Sequence, residues 1–377
     1  MGKPENDSGL SGWKKYCKEQ NIEFSVQRIL VEGLGGMAQG LFASLLIATI
    51  FGTIGTYLFD LSYTVWGQEI SLLAESKTFA TAIQGVAMAC AIAYSMKAPA
   101  YVVYSCMTVG YAANSLGGAG GPLAVYVVTL IAVFLGKLVS KRTPIDLLVT
   151  PTVTILGGVF VATLIAPPIG TAASWLGNVI MWATNQQPFL MGILVSAIMG
   201  IILTLPISSA AICAALGLVG LAGGAAVAGC CAHMVGFAVA SYRENGFGGL
   251  ISQGLGTSML QVPNLIKKPI LWLPAVVASI VNGPVATCIF KLKMNGTPIS
   301  SGMGTCGLVG PIGVITGWLS PSEAAVAQGE AVYAAGAFDW IGLVLVAIVI
   351  PAVVAFLTSE FMRKKDMIKE GDYKLEL

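Results

Sequence analysis

From Leu147 to Tyr242 the chain runs for 96 residues without one Asp, Glu, Lys or Arg. A soluble protein cannot bury that much apolar chain and keep a wettable surface. The remaining charges sit mostly at the two ends: residues 1–32 and residues 360–377 each carry 10 of the 38 charged side chains. The pattern is that of an all-α polytopic membrane protein, because a lipid-exposed backbone must satisfy its own hydrogen bonds.

Several function classes are excluded by the same pattern. A net charge of +2 with only short basic clusters gives nucleic-acid binding no electrostatic support. One His rules out a metal site built from several imidazoles, and no metal or cofactor is expected. The eight Cys lack a C-x-x-C pair and read as small buried hydrophobes. There is no P-loop, and the polar first 30 residues predict no cleavable signal peptide.

A membrane helix needs about 20 apolar residues. Clear spans are predicted at 33–58, 78–96, 121–140, 188–206, 224–241, 271–290 and 338–361. Weaker ones fall at 98–118, 145–166, 247–265 and 299–318. Residues 168–187, with Trp175 and Trp182, read as an interfacial segment, and 207–222 as either a re-entrant piece or a span. Lys3, Lys14, Lys15, Lys18 and Arg28 at one end, and Arg363, Lys364, Lys365, Lys369 and Lys374 at the other, predict cytoplasmic termini in a bacterial cell membrane. That parity requires an even number of crossings, about ten.

The chain also contains a duplication. Lys137-Leu138-x4-Thr143-Pro144-Ile145 recurs as Lys291-Leu292-x4-Thr297-Pro298-Ile299. Two fainter echoes are Gly40-x3-Ser44 against Gly192-x3-Ser196, and Val86-Ala87-x-x-Cys90-Ala91 against Val227-Ala228-x-x-Cys231-Ala232. The expected organisation is a cytoplasmic segment (1–32), a first repeat (33–187), a second and inverted repeat (188–337), a last helix (338–361) and a cytoplasmic tail (362–377). Inverted repeats with re-entrant hairpins are the build of alternating-access transporters.

Ligand contacts are sought where Gly and Pro interrupt the spans after the two Thr-Pro-Ile motifs. Thr150 lies in the first such segment and Ser300, Ser301 and Thr305 in the second; either ligand lining or close helix packing explains their glycine-rich surroundings. His233 is an intramembrane ionisable group and so a candidate contact, with a structural imidazole as the alternative. Asp146 is a further candidate, or a cap for the following helix. Gln84, Asn114 and Asn282 are neutral amides inside spans, suited to an uncharged polyhydroxylated ligand.

The stretch Asn282–Gly313, with its partner Lys137–Gly158, is similar to the membrane IIC components of the bacterial phosphoenolpyruvate-dependent sugar phosphotransferase system, and within it to the PfoR-type subgroup named for toxin-gene regulators. The resemblance extends from about Phe24 to Phe361. It implies a homodimeric sugar permease whose phosphoryl group comes from separate IIA and IIB proteins, since neither tail here is long enough to be either. Well-known sugar-binding members use a Glu with a His. His233 matches the His, while neither Gly-rich segment here holds a Glu. Two other functions stay open: an uncoupled transporter driven by H⁺ or Na⁺ through His233 or Asp146, and a membrane-embedded regulator that only senses a small polar solute.

Overall fold

The computed structural model describes residues 16, 17, 20, 22, 23, 25, 27–57, 59, 61–66 and 68–375. Phe24, Lys3, Lys14, Lys15 and Lys18 lie outside them. The first half opens with helix α1 (Gln27–Tyr57), continuous through two π-helical stretches, Gln27–Gly33 and Phe42–Leu46. A β-hairpin follows, β1 (Ser62–Val65) with β2 (Gln68–Ser71), paired Ser62 to Ser71 and Val65 to Gln68. Helices α2 (Leu72–Ala82) and α3 (Gln84–Ser95) meet at a bend of 56°. Next come α4 (Ala100–Gly117), α5 (Gly121–Val139) and α6 (Asp146–Thr184).

Ala100–Val139 is one apolar stretch of 40 residues, yet it folds back on itself. Gly118 takes φ +50°, a left-handed conformation that costs other residues energy. A Cβ on Gly136 of α5 would lie 2.8 Å from Val102 of α4, so the two helices are antiparallel. Both pack on α6, where Gly158 admits Val109 of α4 and Ala132 of α5.

Among the described residues six helical stretches are long and apolar enough to cross a membrane, with the folded-back Ala100–Val139 counted once, or seven with the bent α2–α3 pair. This all-α polytopic build matches the sequence reading, and the difference from about ten has local causes. The weak candidate 247–265 breaks into short pieces. The segment 168–187 is not a separate element: as far as Thr184 it continues α6 past Pro167 and Pro168. Each proline removes one helical hydrogen bond, but stopping the helix there would strand four carbonyls in apolar surroundings.

The second half comprises α7 (Pro188–Thr204), the short α8 (Ser209–Leu216), α9 (Gly220–Ala240), α10 (Tyr242–Ile251), α11 (Val262–Lys267), α12 (Leu273–Pro284, extended by a π turn to Ile289), α13 (Pro298–Ser301), α14 (Val309–Leu319), α15 (Glu323–Ala327) and α16 (Ala337–Lys364). Helices α7, α9, α12 and α16 form its core through small residues, as lipid-embedded helices do. Gly229 sits on the Ser196 backbone, Gly283 on Gly192, and Ala355 beside Gly236.

The two Lys-Leu-x4-Thr-Pro-Ile motifs lie at opposite ends of the molecule. Gly220, at the start of α9, pairs with Met294 beside the second motif. Ala240, at the end of α9, accepts a hydrogen bond from Arg363, and the tail beyond Arg363 reaches Leu375, beside Val31 and Lys97. The Nζ of Lys137, in the first motif, donates to Met96 O next to Lys97. A 21-residue helix separates these ends by about 30 Å. Cysteines placed at Lys141 and Lys293 should therefore react with an impermeant maleimide from opposite sides of a sealed vesicle; labelling from one side contradicts the inverted arrangement.

The Gly40/Gly192 and Val86/Val227 echoes are not both structural correspondences. Gly36 packs at Ala91 and Gly40 at Ala87, so α1 and α3 run antiparallel. Ser196 meets Gly229 and Gly200 meets His233, so α7 and α9 run parallel. In so restricted an alphabet, short matches arise without shared geometry.

Candidate functional site

Six breaks within or between helices converge on one cavity of about 160 Å³. Leu41 and Leu45 come from the π turn of α1, Gln84 from the α2–α3 bend, and Asn114 and Gly118 from the tip of the α4–α5 hairpin. Ser208 and Ser209 come from the start of α8, and Gly256 and Thr257 from the break after α10. Met303 and Cys306 come from the turn between α13 and α14. Irregular backbone at membrane depth is tolerated where it lines such a cavity, and discontinuous helices are the usual place for a transporter's binding site.

The polar groups of this wall are all neutral. Ser209 donates to Gly302 O at 2.7 Å, tying α8 to the α13–α14 turn. Ser208 caps α8 by accepting from Ala211 N, and Thr257 accepts from Met259 N; both hydroxyls keep a proton to donate. The half-buried amides of Gln84 and Asn114 make no hydrogen bond among the described residues. Their donors and acceptors are left for whatever enters the cavity. No charged side chain lines it.

Of the residues singled out in the sequence, Gln84 and Asn114 therefore share this cavity. Thr305 flanks it, donating to Gly254 O at 2.5 Å. Ser300 and Ser301 lie behind, in packing: Ser301 donates to Leu218 O, and Ser300 meets the Thr297 hydroxyl. His233 is fully buried and outside the cavity. Its Nδ1 is 3.0 Å from the Thr204 hydroxyl, which in turn lies 2.9 Å from Ser258 Oγ. Thr204 and Ser258 adjoin the lining residues Leu203, Thr257 and Met259, so His233 is one relay behind the wall. Its Nε2 has no hydrogen-bond partner among the described residues and faces Gly200, Phe237 and Trp272.

Three candidates are not brought to the cavity. Asn282 is buried and donates to Ala228 O at 2.9 Å and Val346 O at 2.8 Å, pinning α12 to α9 and α16. Thr150 donates to Asp146, whose carboxylate also accepts from Lys141 N. That pair secures the turn into α6, close to the capping alternative for Asp146. The residues missed were Ser208, Ser209 and Thr257, whose hydroxyls carry no signal apart from the helix breaks beside them.

A second cavity, of about 360 Å³, lies at the end where α9 finishes, lined by Glu32, Gln39, Lys97, Asn264 and Leu375 among others. Gln39 lies within a helical turn of Leu41, and Leu260 adjoins Met259, so α1 and the segment before α11 contribute to the walls of both cavities.

A helical membrane protein whose helix breaks line one uncharged cavity with a few polar groups has the build of a solute permease. Residues 31–375 match the family model described as phosphotransferase system, EIIC, and the chain belongs to that family. No curated relative and no solved structure shows a significant match.

Proposed function

We propose that this EIIC protein carries a neutral sugar through the central cavity by alternating access. In this reading both termini face the cytoplasm, and separate IIA and IIB proteins supply the phosphoryl group at the 360 Å³ cavity. The observation that carries the reading is the pair of unspent amides, Gln84 and Asn114, in a chamber without charge. Amides that donate and accept suit hydroxyl groups, whereas an anion would call for Arg or Lys in the wall. The chamber is smaller than the roughly 300–1,000 Å³ of drug-sized sites, which favours a monosaccharide ring. Helix α6 leaves Leu148, Leu156, Phe160 and Leu164 exposed. Such a face fits a homodimer in the bilayer, and native mass spectrometry showing only monomers counts against that.

The test is equilibrium binding of radiolabelled monosaccharides to the protein in nanodiscs. Losing one hydrogen-bonding partner costs about 1–3 kcal/mol, roughly 5- to 150-fold in affinity. Gln84→Ala and Asn114→Ala should each weaken the bound sugar within that range while elution from size exclusion is unchanged. Unaltered affinity in both variants removes the central cavity as the binding site.

A further inference from the structure

Another large cavity lies elsewhere, at the end where α9 begins. It measures about 700 Å³ and sits between the end of α12, the end of α14 and the loop before α16. Phe290, Trp318, Tyr333 and Phe338 contribute aromatic rings to its lining. Phe290 and Phe338 lie 4.9 Å apart, and Trp318 is held edge to face by Trp340 at 5.0 Å.

The polar lining is neutral in sum. Lys291 and Lys293 are matched in number by Glu330 and Asp339. Lys293 pairs with Glu330 at 2.9 Å, and Asp339 accepts from Tyr333 and from Gly336 N. Asn295 forms part of the lining at 2% exposure. Its Nδ2 donates to Glu330, while its Oδ1 is buried without a hydrogen-bond partner among the described residues.

We propose that this cavity is a second carbohydrate site, an outer station for a neutral sugar of one or two rings; the choice of a sugar rests on the function proposed above. Apolar ring faces of a sugar pack on aromatic side chains, and its hydroxyls find donors and acceptors in the side chains of Lys291, Lys293, Glu330 and Asp339. An anionic solute gains nothing from a lining whose charges already cancel. A lipid acyl chain would set those four charged side chains against hydrocarbon, at a cost. The size also sorts ligands: at more than four times the central volume, it admits a disaccharide that the chamber beside Gln84 does not. The two cavities share one element. The α13–α14 hairpin places Asn295 and Trp318 at its base in the outer lining and Met303 and Cys306 at its tip in the central one.

Equilibrium binding of radiolabelled glucose, galactose, fructose, maltose and cellobiose to the full chain in nanodiscs tests this. The expected result is saturable disaccharide binding that survives in the Gln84→Ala/Asn114→Ala double variant and weakens at least tenfold in Glu330→Ala and in Phe338→Ala. Phe338 is 58% exposed, so its truncation leaves the packing intact and guards against a folding artefact at Glu330. Disaccharide binding unchanged in both outer variants overturns the proposal. So does a parent that binds sugar at one site only, abolished by the Gln84→Ala/Asn114→Ala change; that result leaves the central site standing. If the parent binds none of the five sugars, both readings fall.

Discussion

Replacing Tyr373 with Ala is expected to lower the stability of the protein by about 3–5 kcal/mol, the cost of emptying a buried aromatic position. Tyr373 is fully buried although it follows the last helix by nine residues. Its hydroxyl donates to Leu271 O at 2.8 Å, and its ring packs against Phe237. Around it the tail completes a row of buried amides. Gln253 donates to Ser241 Oγ, Gln261 donates to Gln253 and to Tyr373 O, and Asn264 donates to Gln261 and to Lys374 O. An unsatisfied member of such a row carries the full desolvation penalty. Thermal unfolding followed by tryptophan emission should show the loss, and Tyr373→Phe should retain most of the stability by keeping the ring.

The same residue predicts a pH dependence. Burial pushes the Tyr373 phenol above its ordinary value, with Arg363 pulling the other way. An acid whose folded value is raised stabilises the folded chain while it stays neutral. That contribution is complete below about pH 10 and is lost as pH rises beyond it. Tyr373→Phe should flatten this alkaline limb; a limb of equal slope in the variant assigns the effect to another group.

Gly229→Val is expected to reach or exceed the upper end of the roughly 1–3 kcal/mol typical of overpacking. Any Cβ at Gly229 lies 2.5 Å from Ser196 Cα and overlaps the Ser196 carbonyl oxygen. The neighbour is backbone and cannot swing aside, so α7 and α9 must separate. Separation also pulls Thr204 away from His233, one turn along. Gly248→Ala is the contrast: nothing lies within 4 Å of its Cβ position, and alanine gains up to about 1 kcal/mol in helix propensity. Melting temperatures should fall for the first variant and hold or rise for the second. Equal shifts would mean that helix propensity, not interhelical contact, governs both.

Much of this architecture was legible in the sequence because charge and hydropathy report on lipid directly. The 96 uncharged residues imposed membrane helices, and the repeated Thr-Pro-Ile motif placed like turns at opposite ends. Gln84 and Asn114 stood out because an amide inside an apolar span is rare and costly. Other features have no such signature. Pro167 and Pro168 look like a helix end, but the alternative to a helix is judged against hydrocarbon and not water. His233 drew attention as the lone imidazole, yet its hydrogen bond to Thr204 and the ring of Phe237 absorb it into packing. Ser208, Ser209 and Thr257 resemble the many hydroxyls that bond back to their own helix, as Thr154 does to Thr150 O. The amide row was hidden for a different reason: its last acceptors are backbone carbonyls, which every residue has.

That tail has a consequence for biosynthesis. The segment from Gln253 to Asn264 supplies Thr257 and Met259 to the central cavity and Ser258 to the His233 relay. Its amides find their final partners only in residues 373 and 374. Every helix is thus synthesised, and can enter the bilayer, before the wall between them is fastened. During that interval Gln261 and Asn264 each lack one of the backbone acceptors that the tail later supplies. The row of amides beside the cavity is thus completed by nearly the last part of the described chain to leave the ribosome, so its final hydrogen bonds form only after every helix has been made.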